Sequence, residues 1–225
     1  LITLSNPNLL KHLLVDGVVA GLEHKAVLYK DLKTIIDIGA NKGQFALAGR
    51  TYTKANIISF EPLREPAKIF LKVFKNYDDV FLKQIAVGPK EENSEIYVTE
   101  SADSSSLLEI GNLQKNIYDT KVVGTENISI KPLHKIIDEF EIISPSLLKI
   151  DVQGYEQQVI DGCQKIIKNF DYIYCECSYV ELYKNQALAS DIINQLDNLG
   201  FQLAGVYNTY YEQGQSIQSD ILFSR

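Results

Sequence analysis

Residues Thr34 to Phe45 read TIIDIGANKGQF, an apolar run that carries one acid, Asp37, and then opens into Gly39, Asn41 and Gly43. Glycine at the mouth of a strand lets the backbone approach a ligand closely. The spacing Gly39-x-x-x-Gly43 is not the Gly-x-Gly-x-x-Gly of dinucleotide folds, and no Gly-Lys-Ser/Thr follows to form a phosphate loop. Asp37 would repel a pyrophosphate but suits a cation. Glu61, 24 residues after Asp37, closes the second apolar run, NIISF. A carboxylate there can accept both hydroxyls of a ribose. Together these residues describe a pocket for a positively charged adenosine compound. S-adenosylmethionine has the required ammonium, sulfonium and ribose. The plain structural alternative is a tight turn followed by a surface glutamate.

A second group of charges lies further on. Lys149 and Asp151 interrupt the apolar run SLLKIDV, and Glu176 sits between Cys175 and Cys177 in DYIYCEC. Charges in such apolar runs are costly unless paired or functional. Asp151, at the carboxyl end of its run, is read as a catalytic or acceptor-binding group that also borders the cofactor; its structural alternative is a helix cap. Lys149 is read as a salt-bridge partner of a nearby carboxylate, and Glu176 as a second catalytic candidate or as that partner. Glu156 reads equally as a site acid or as a favourable charge in the first turn of its helix. Asp151, Glu156 and Glu176 could supply oxygen ligands to magnesium. Lys149 competes for the same carboxylates, so no required metal is expected. His12, His24 and His134 are read as structural or surface histidines. Ser104 to Ser106 read as a pocket edge or a plain loop, and Tyr179, Tyr183, Tyr207, Tyr210 and Tyr211 as rings near the last strand ends.

These groups need a scaffold that brings strand ends together. Helical spacing is read from about Asn8 to Leu22, with Leu9, Leu10, Leu13 and Leu14 on one face, and again after Phe45, Glu61, Pro132, Glu156 and Gln186. Strands are read at Ile35–Ile38, Asn56–Phe60, Val80–Val87, SLLKIDV, DYIYCEC, FQLAGVY and SDILFS. SEIYVTE and ENISIKP add two more, around a polar stretch. Runs that are apolar on both faces belong to parallel sheets covered by helices. Alternating strands and helices call for a doubly wound α/β sheet. The last two strands, with no helix between them, must be antiparallel. Such sheets bind ligands at their carboxyl edge, where Asp37 to Gly43, Glu61, Gln84 to Gly88, Asp151 to Glu156 and Glu176 to Tyr179 are expected to fall. An N-terminal helical extension, 1–33, is expected to precede the main domain, 34–225.

The chain has 225 residues, 22 Lys and Arg against 29 Asp and Glu, and a net charge of −7. That balance argues against nucleic acid as a partner. No apolar run approaches the length of a membrane span, and no signal-peptide pattern is read. The chain has no Met, so a trimmed N-terminus is expected. Three cysteines inside apolar runs suggest reduced thiols and a cytoplasmic setting. Self-association is left open.

DIGANKGQF, FEP, LLKIDVQGYE and CEC together resemble the FkbM-type family of S-adenosylmethionine-dependent methyltransferases, over about Thr34 to Ser178. LLKIDVQGYE is the most family-specific stretch. The resemblance implies a Rossmann-like seven-stranded sheet, six strands parallel and the last antiparallel, with helices on both faces. It implies O-methylation of a hydroxyl on a sugar or a polyketide-like product, so a glycan or small-molecule acceptor is expected as partner. It places Asp37, Gly39, Asn41 and Gly43 along the methionine part of the cofactor, Glu61 and Pro62 at the ribose, and Gln84 and Ala86 near the adenine. The chain departs from the family at Leu133-His134, where Leu-Asp is common. The alternatives are a nicotinamide-dependent oxidoreductase or a non-catalytic S-adenosylmethionine-binding partner protein.

Overall fold

The structure, a computed structural model, describes residues 6–29, 31–137 and 139–225. Residues 1–5 of the expected extension lie outside the described residues. The strands are β1 (Thr34–Ile38), β2 (Asn56–Phe60), β3 (Val80–Lys83), β4 (Ala86–Val87), β5 (Glu92–Thr99), β6 (Val122–Lys131), β7 (Ser146–Ile150), β8 (Tyr172–Ser178), β9 (Gln202–Glu212) and β10 (Gln215–Ser224). The α-helices are α1 (Pro7–Lys11), α2 (Gln44–Tyr52), α3 (Arg64–Phe74), α4 (Asn112–Tyr118), α5 (Glu156–Cys163) and α6 (Ala189–Asn198).

Seven strands form one sheet in the order β3-β2-β1-β7-β8-β10-β9. Only β10 runs against the others, pairing antiparallel with both β8 and β9. Every residue of β1 and β7 is buried, because helices cover both faces. One core layer joins Ile36, Ile38, Leu148 and Ile150 to α5 and α6 through Val159, Ile160, Ile192 and Leu196. The other joins Ile35, Ile57 and Leu147 to α2 and α3 through Leu47, Phe70 and Val73. This is the expected α/β sheet.

Three regions differ from expectation. The third strand divides: β3 stays in the main sheet, and β4 pairs with β6 in a second sheet of order β4-β6-β5. The polar stretch between β5 and β6 contains α4, whose Leu113 and Ile117 pack against a cluster with Tyr183 and Leu182. Its few apolar residues hid it from periodicity. The expected helix from Asn8 to Leu22 stops early, because Gly17 takes a left-handed φ of 66°. Leu14 is left 74% exposed, while His12 turns inward and pairs with Asp16 at 2.9 Å. After this break, residues 18–28 fold back onto the sheet. Val18, Ala20, Val27 and Leu28 share a core with Ile35, Phe45 and Tyr174. No described helix is long and apolar enough to cross a membrane. All three cysteines are buried and free.

Candidate active site

Parallel pairing of β1 with β2 and β7 sets Asp37 beside Ser59 on one side and Lys149 on the other. The charges that interrupted two apolar strands are therefore neighbours. Lys149 Nζ lies 3.1 Å from Asp37 Oδ1 and 3.5 Å from Asp151 Oδ2, and donates to the Gly39 carbonyl at 2.8 Å. Burial opposes the ammonium, but Asp37 and Asp151 outweigh it and hold its pKa above the ordinary lysine value. The salt-bridge partners of Lys149 are thus Asp37 and, at longer range, Asp151, rather than Glu176. Asp37 is wholly buried and holds the floor of the site through this lysine.

The glycine loop has two different glycines. Gly39 has φ +80°, and a Cβ there would stand 1.8 Å from the Asp151 carbonyl oxygen. The ends of β1 and β7 can approach this closely only without a side chain. Gly43 has φ +94°, and its Cβ would meet Phe74 at 2.5 Å, so this glycine serves helix packing. Between them Asn41 takes a positive φ of 47°. That turn aims its N–H at Glu61 Oε2, at 2.8 Å, while Glu61 Oε1 accepts the Leu63 N–H at 2.8 Å. An ionised carboxylate has about four acceptor positions, so each Glu61 oxygen keeps one. Burial pushes the Glu61 pKa up to about 7, against the two N–H donors and Lys149, which favour ionisation.

A cleft over the carboxyl ends of β1, β2 and β7 encloses about 1060 Å³ of non-protein space, its mouth included. Gly39, Asn41, Glu61, Pro62, Ala86 and Asp151 line it. Gln84 is exposed and lies outside the lining; Ile85 stands in its place. Asp37 and Gly43 lie behind the lining rather than in it. The Asn41 Oδ1 and Gln44 Oε1 atoms, on two lining residues, are buried without a hydrogen-bond partner among the described residues. A segment from the second sheet closes the cleft with Ala102, Asp103, Ser105 and Leu107.

Beyond β7 the site is held by side chains. Gln153 Nε2 donates to Asp151 Oδ1 and to Glu176 Oε2, each at 2.9 Å. Gln153 Oε1 accepts from Tyr183 Oη at 2.8 Å, and its carbonyl accepts from Ser106 Oγ at 2.6 Å. Glu176 Oε1 accepts from Gln218 Nε2 at 2.6 Å. Burial, with Asp151 and Asp220 adding negative charge nearby, raises the Glu176 pKa well above the usual glutamate value. Asp151 is part-exposed and does not cap α5. The turn before α5 is held instead by Glu156, whose Oε1 accepts N–H groups from Val152 at 3.1 Å and Gly154 at 3.0 Å. Burial pushes the Glu156 pKa up to about 7. Ser105 and Ser106 are buried parts of the closing segment. His134 stands beside Lys165, 3.2 Å from its Nζ, away from the cleft. Tyr179, Tyr207, Tyr210 and Tyr211 do not line the cleft.

The sequence reading assigned His24 a structural place, yet it forms part of the cleft wall. Gln153 was also passed over. Neither stood out, because each acquires its partners from elements distant in the chain.

A sheet of this order, with an acidic cleft at its carboxyl edge, defines the Rossmann-like methyltransferase class of fold. Residues 37–203 match the model of the methyltransferase FkbM domain, and the chain belongs to that family. Solved structures share the fold. M. capricolum TrmK in complex with S-adenosyl-homocysteine has a TM-score of 0.50 at 11% identity, covering 90% of this chain and 66% of that one. Precorrin-6y C5,15-methyltransferase from Geobacter metallireducens gives 0.50 at 12%, covering 94% and 95%. Magnesium protoporphyrin IX methyltransferase from Synechocystis, with bound S-adenosylmethionine, gives 0.50 at 10%, covering 91% and 74%. A search of curated proteins returns no match.

Proposed function

We propose that this chain is an S-adenosylmethionine-dependent O-methyltransferase acting on a hydroxyl of a glycan or sugar-bearing metabolite. The observation that carries the reading is buried Glu61, fixed by the N–H groups of Asn41 and Leu63 with one acceptor position left on each oxygen. That arrangement suits the two hydroxyls of a ribose. The unpartnered amide oxygens of Asn41 and Gln44 suit an ammonium, and Asp37 sets a negative floor beneath it. Ile85 and Ala86 offer an apolar wall for a purine. When bound, S-adenosylmethionine supplies a methyl group already activated by its sulfonium.

The protein then has to align an oxygen behind that methyl. Asp151, just past the end of β7, lines the cleft and is suited to holding a hydroxyl, while Glu176, inside β8, backs it through Gln153. Gln153 donates to both carboxylates that a metal would need, so we assign the reaction no required metal, and turnover should survive EDTA. Buried free thiols fit a reducing compartment, and we place the reaction in the cytoplasm. Calorimetry with S-adenosylmethionine, S-adenosylhomocysteine and NAD tests the reading. Binding of the first two and not the third is expected. NAD binding alone would transfer the chain to the oxidoreductases, and cofactor binding without turnover on any sugar hydroxyl would leave a non-catalytic binding protein.

A further inference from the structure

Resting on that cofactor assignment, we propose that His24, from the N-terminal segment, is the group that takes the proton from the acceptor hydroxyl. The Gly17 break turns this segment back over the sheet, and a 3-10 helix, Leu22–Val27, places the imidazole in the cleft wall. The ring is fixed on both sides. It lies 5.2 Å from the Phe45 ring and 5.6 Å from the Tyr174 ring, centroid to centroid. Its Nδ1 is 3.0 Å from Tyr174 Oη.

The neighbouring hydrogen bonds select the tautomer. Tyr174 donates its only proton to Asp220 Oδ2 at 3.0 Å. Asn208 Nδ2 also donates to Asp220 Oδ2, at 2.8 Å, and lies 3.3 Å from Tyr174 Oη. Tyr174 therefore has no proton to give His24. Asn208 Nδ2 also stands 3.4 Å from Nδ1, but its two hydrogens have nearer acceptors in Asp220 Oδ2 and Tyr174 Oη, which assigns the hydrogen to Nδ1 and the lone pair to Nε2. The imidazole is thus a base whose orientation is fixed from behind, the arrangement that general-base chemistry requires. Tyr174 and Asp220 are positioning residues.

The carboxylates are less suited to this step. Asp151 takes a hydrogen bond from Gln153 and faces Lys149, and both Glu176 oxygens take amide donors. They orient the hydroxyl. The charged and titratable groups around His24 are Glu23 beside Nε2 at 3.5 Å, Asp220 at 3.5 Å from Nδ1, Tyr174, and Lys149 across Phe45. In the step, the acceptor oxygen bonds to the methyl carbon, the carbon–sulfur bond breaks with its pair left on sulfur, and the hydroxyl proton passes to Nε2. The imidazolium then returns its proton to water.

Nuclear magnetic resonance on the full chain tests this without a known acceptor. The probe is S-adenosylmethionine with a carbon-13 methyl, added to nitrogen-15-labelled protein at pH 8. Expected are a protonated Nδ1, an Nε2 in the lone-pair range, and a Overhauser cross-peak between the probe methyl and the His24 ring that is lost in His24→Gln. Tyr174→Phe should mix the two tautomers while calorimetry still shows cofactor binding. Binding with no such cross-peak, or with hydrogen on Nε2 in the wild-type protein, would overturn the proposal. Absence of binding by calorimetry would instead sink the cofactor assignment, and this inference with it. If Tyr174→Phe does not fold, the wild-type tautomer and cross-peak decide the matter.

Discussion

The two halves of the cleft are built differently. On the β1–β2 side the groups are fixed by main chain: Glu61 by two backbone N–H groups, Gly39 by its contact with the Asp151 carbonyl, Lys149 partly by the Gly39 carbonyl. On the β7–β8 side Asp151 and Glu176 are held by the side chains of Gln153 and Gln218; Gln153 is tied to Tyr183 and Ser106, and Gln218 to Tyr118. Backbone donors cannot rotate away, whereas amide side chains can be displaced by an incoming hydroxyl. The first half is built to hold one ligand in one pose. On the proposed function, the second half can exchange internal partners for an acceptor, and substrate preference would vary there while the cofactor half stays fixed.

The largest effect should come from breaking the contact between the halves. Gly39→Ala puts a Cβ into the Asp151 carbonyl at a left-handed φ. Backbone clash and strain together should destabilise the fold by roughly 4 kcal/mol or more, read as a large fall in the denaturant midpoint. A variant as stable as wild type would show that the strand ends are not locked together. Next comes Asp151→Asn, which keeps the size of the side chain but removes its charge. Turnover should fall at least ~100-fold with cofactor affinity unchanged, the pattern of a group that aligns the acceptor in the transition state. Near-normal turnover in the folded variant would remove Asp151 from the mechanism.

The contrast also explains what the sequence disclosed. The cofactor half is local: Asp37, Gly39, Asn41 and Glu61 lie on two consecutive strand ends, so spacing alone reveals the pocket. Asp151 and Glu176 were visible as charges in apolar strands, and the register that pairs Asp37 with Lys149 turned one anomaly into an ion pair. Gly43, read as lining the methionine part of the cofactor, has a positive φ that packs it against Phe74 behind the cleft lining. Gln84, read as near the adenine, is exposed where the third strand breaks and the chain continues into a different sheet. His24 was unreadable for a physical reason. Its role depends on the fold-back after Gly17 and on Tyr174, 150 residues away along the chain.

The cofactor half can be probed more finely through Glu61. If Glu61 holds the ribose as proposed, Glu61→Ala should weaken S-adenosylhomocysteine binding by about 1.5–3 kcal/mol, measured by calorimetry. An unchanged affinity would put the ribose elsewhere.

The smallest expected effect is the pH dependence of that affinity. Burial raises the Glu61 pKa to about 7 in the free protein. A raised carboxyl pKa means that the folded protein binds the proton more tightly than the unfolded chain. The contribution of this group to folding is therefore full below the ordinary glutamate value and is lost as pH rises through about 7. Binding runs the other way. Ribose hydroxyls need the ionised form, so the ligand should favour the carboxylate and expel the proton. Affinity should fall as pH drops from 8 to 6, by up to about tenfold, since roughly nine in ten Glu61 side chains are protonated one unit below their pKa. Calorimetry at pH 6 in buffers of different ionisation enthalpy should detect release of just under one proton per ligand bound. Glu61→Gln should bind more weakly at pH 8 but lose both the slope and the proton release. Glu156, also raised to about 7 but buried in the turn before α5, stays in that variant as an internal control. If the slope persists in Glu61→Gln, it belongs to Glu156 or another group, and the ribose is not held by the carboxylate that the Asn41 turn prepares.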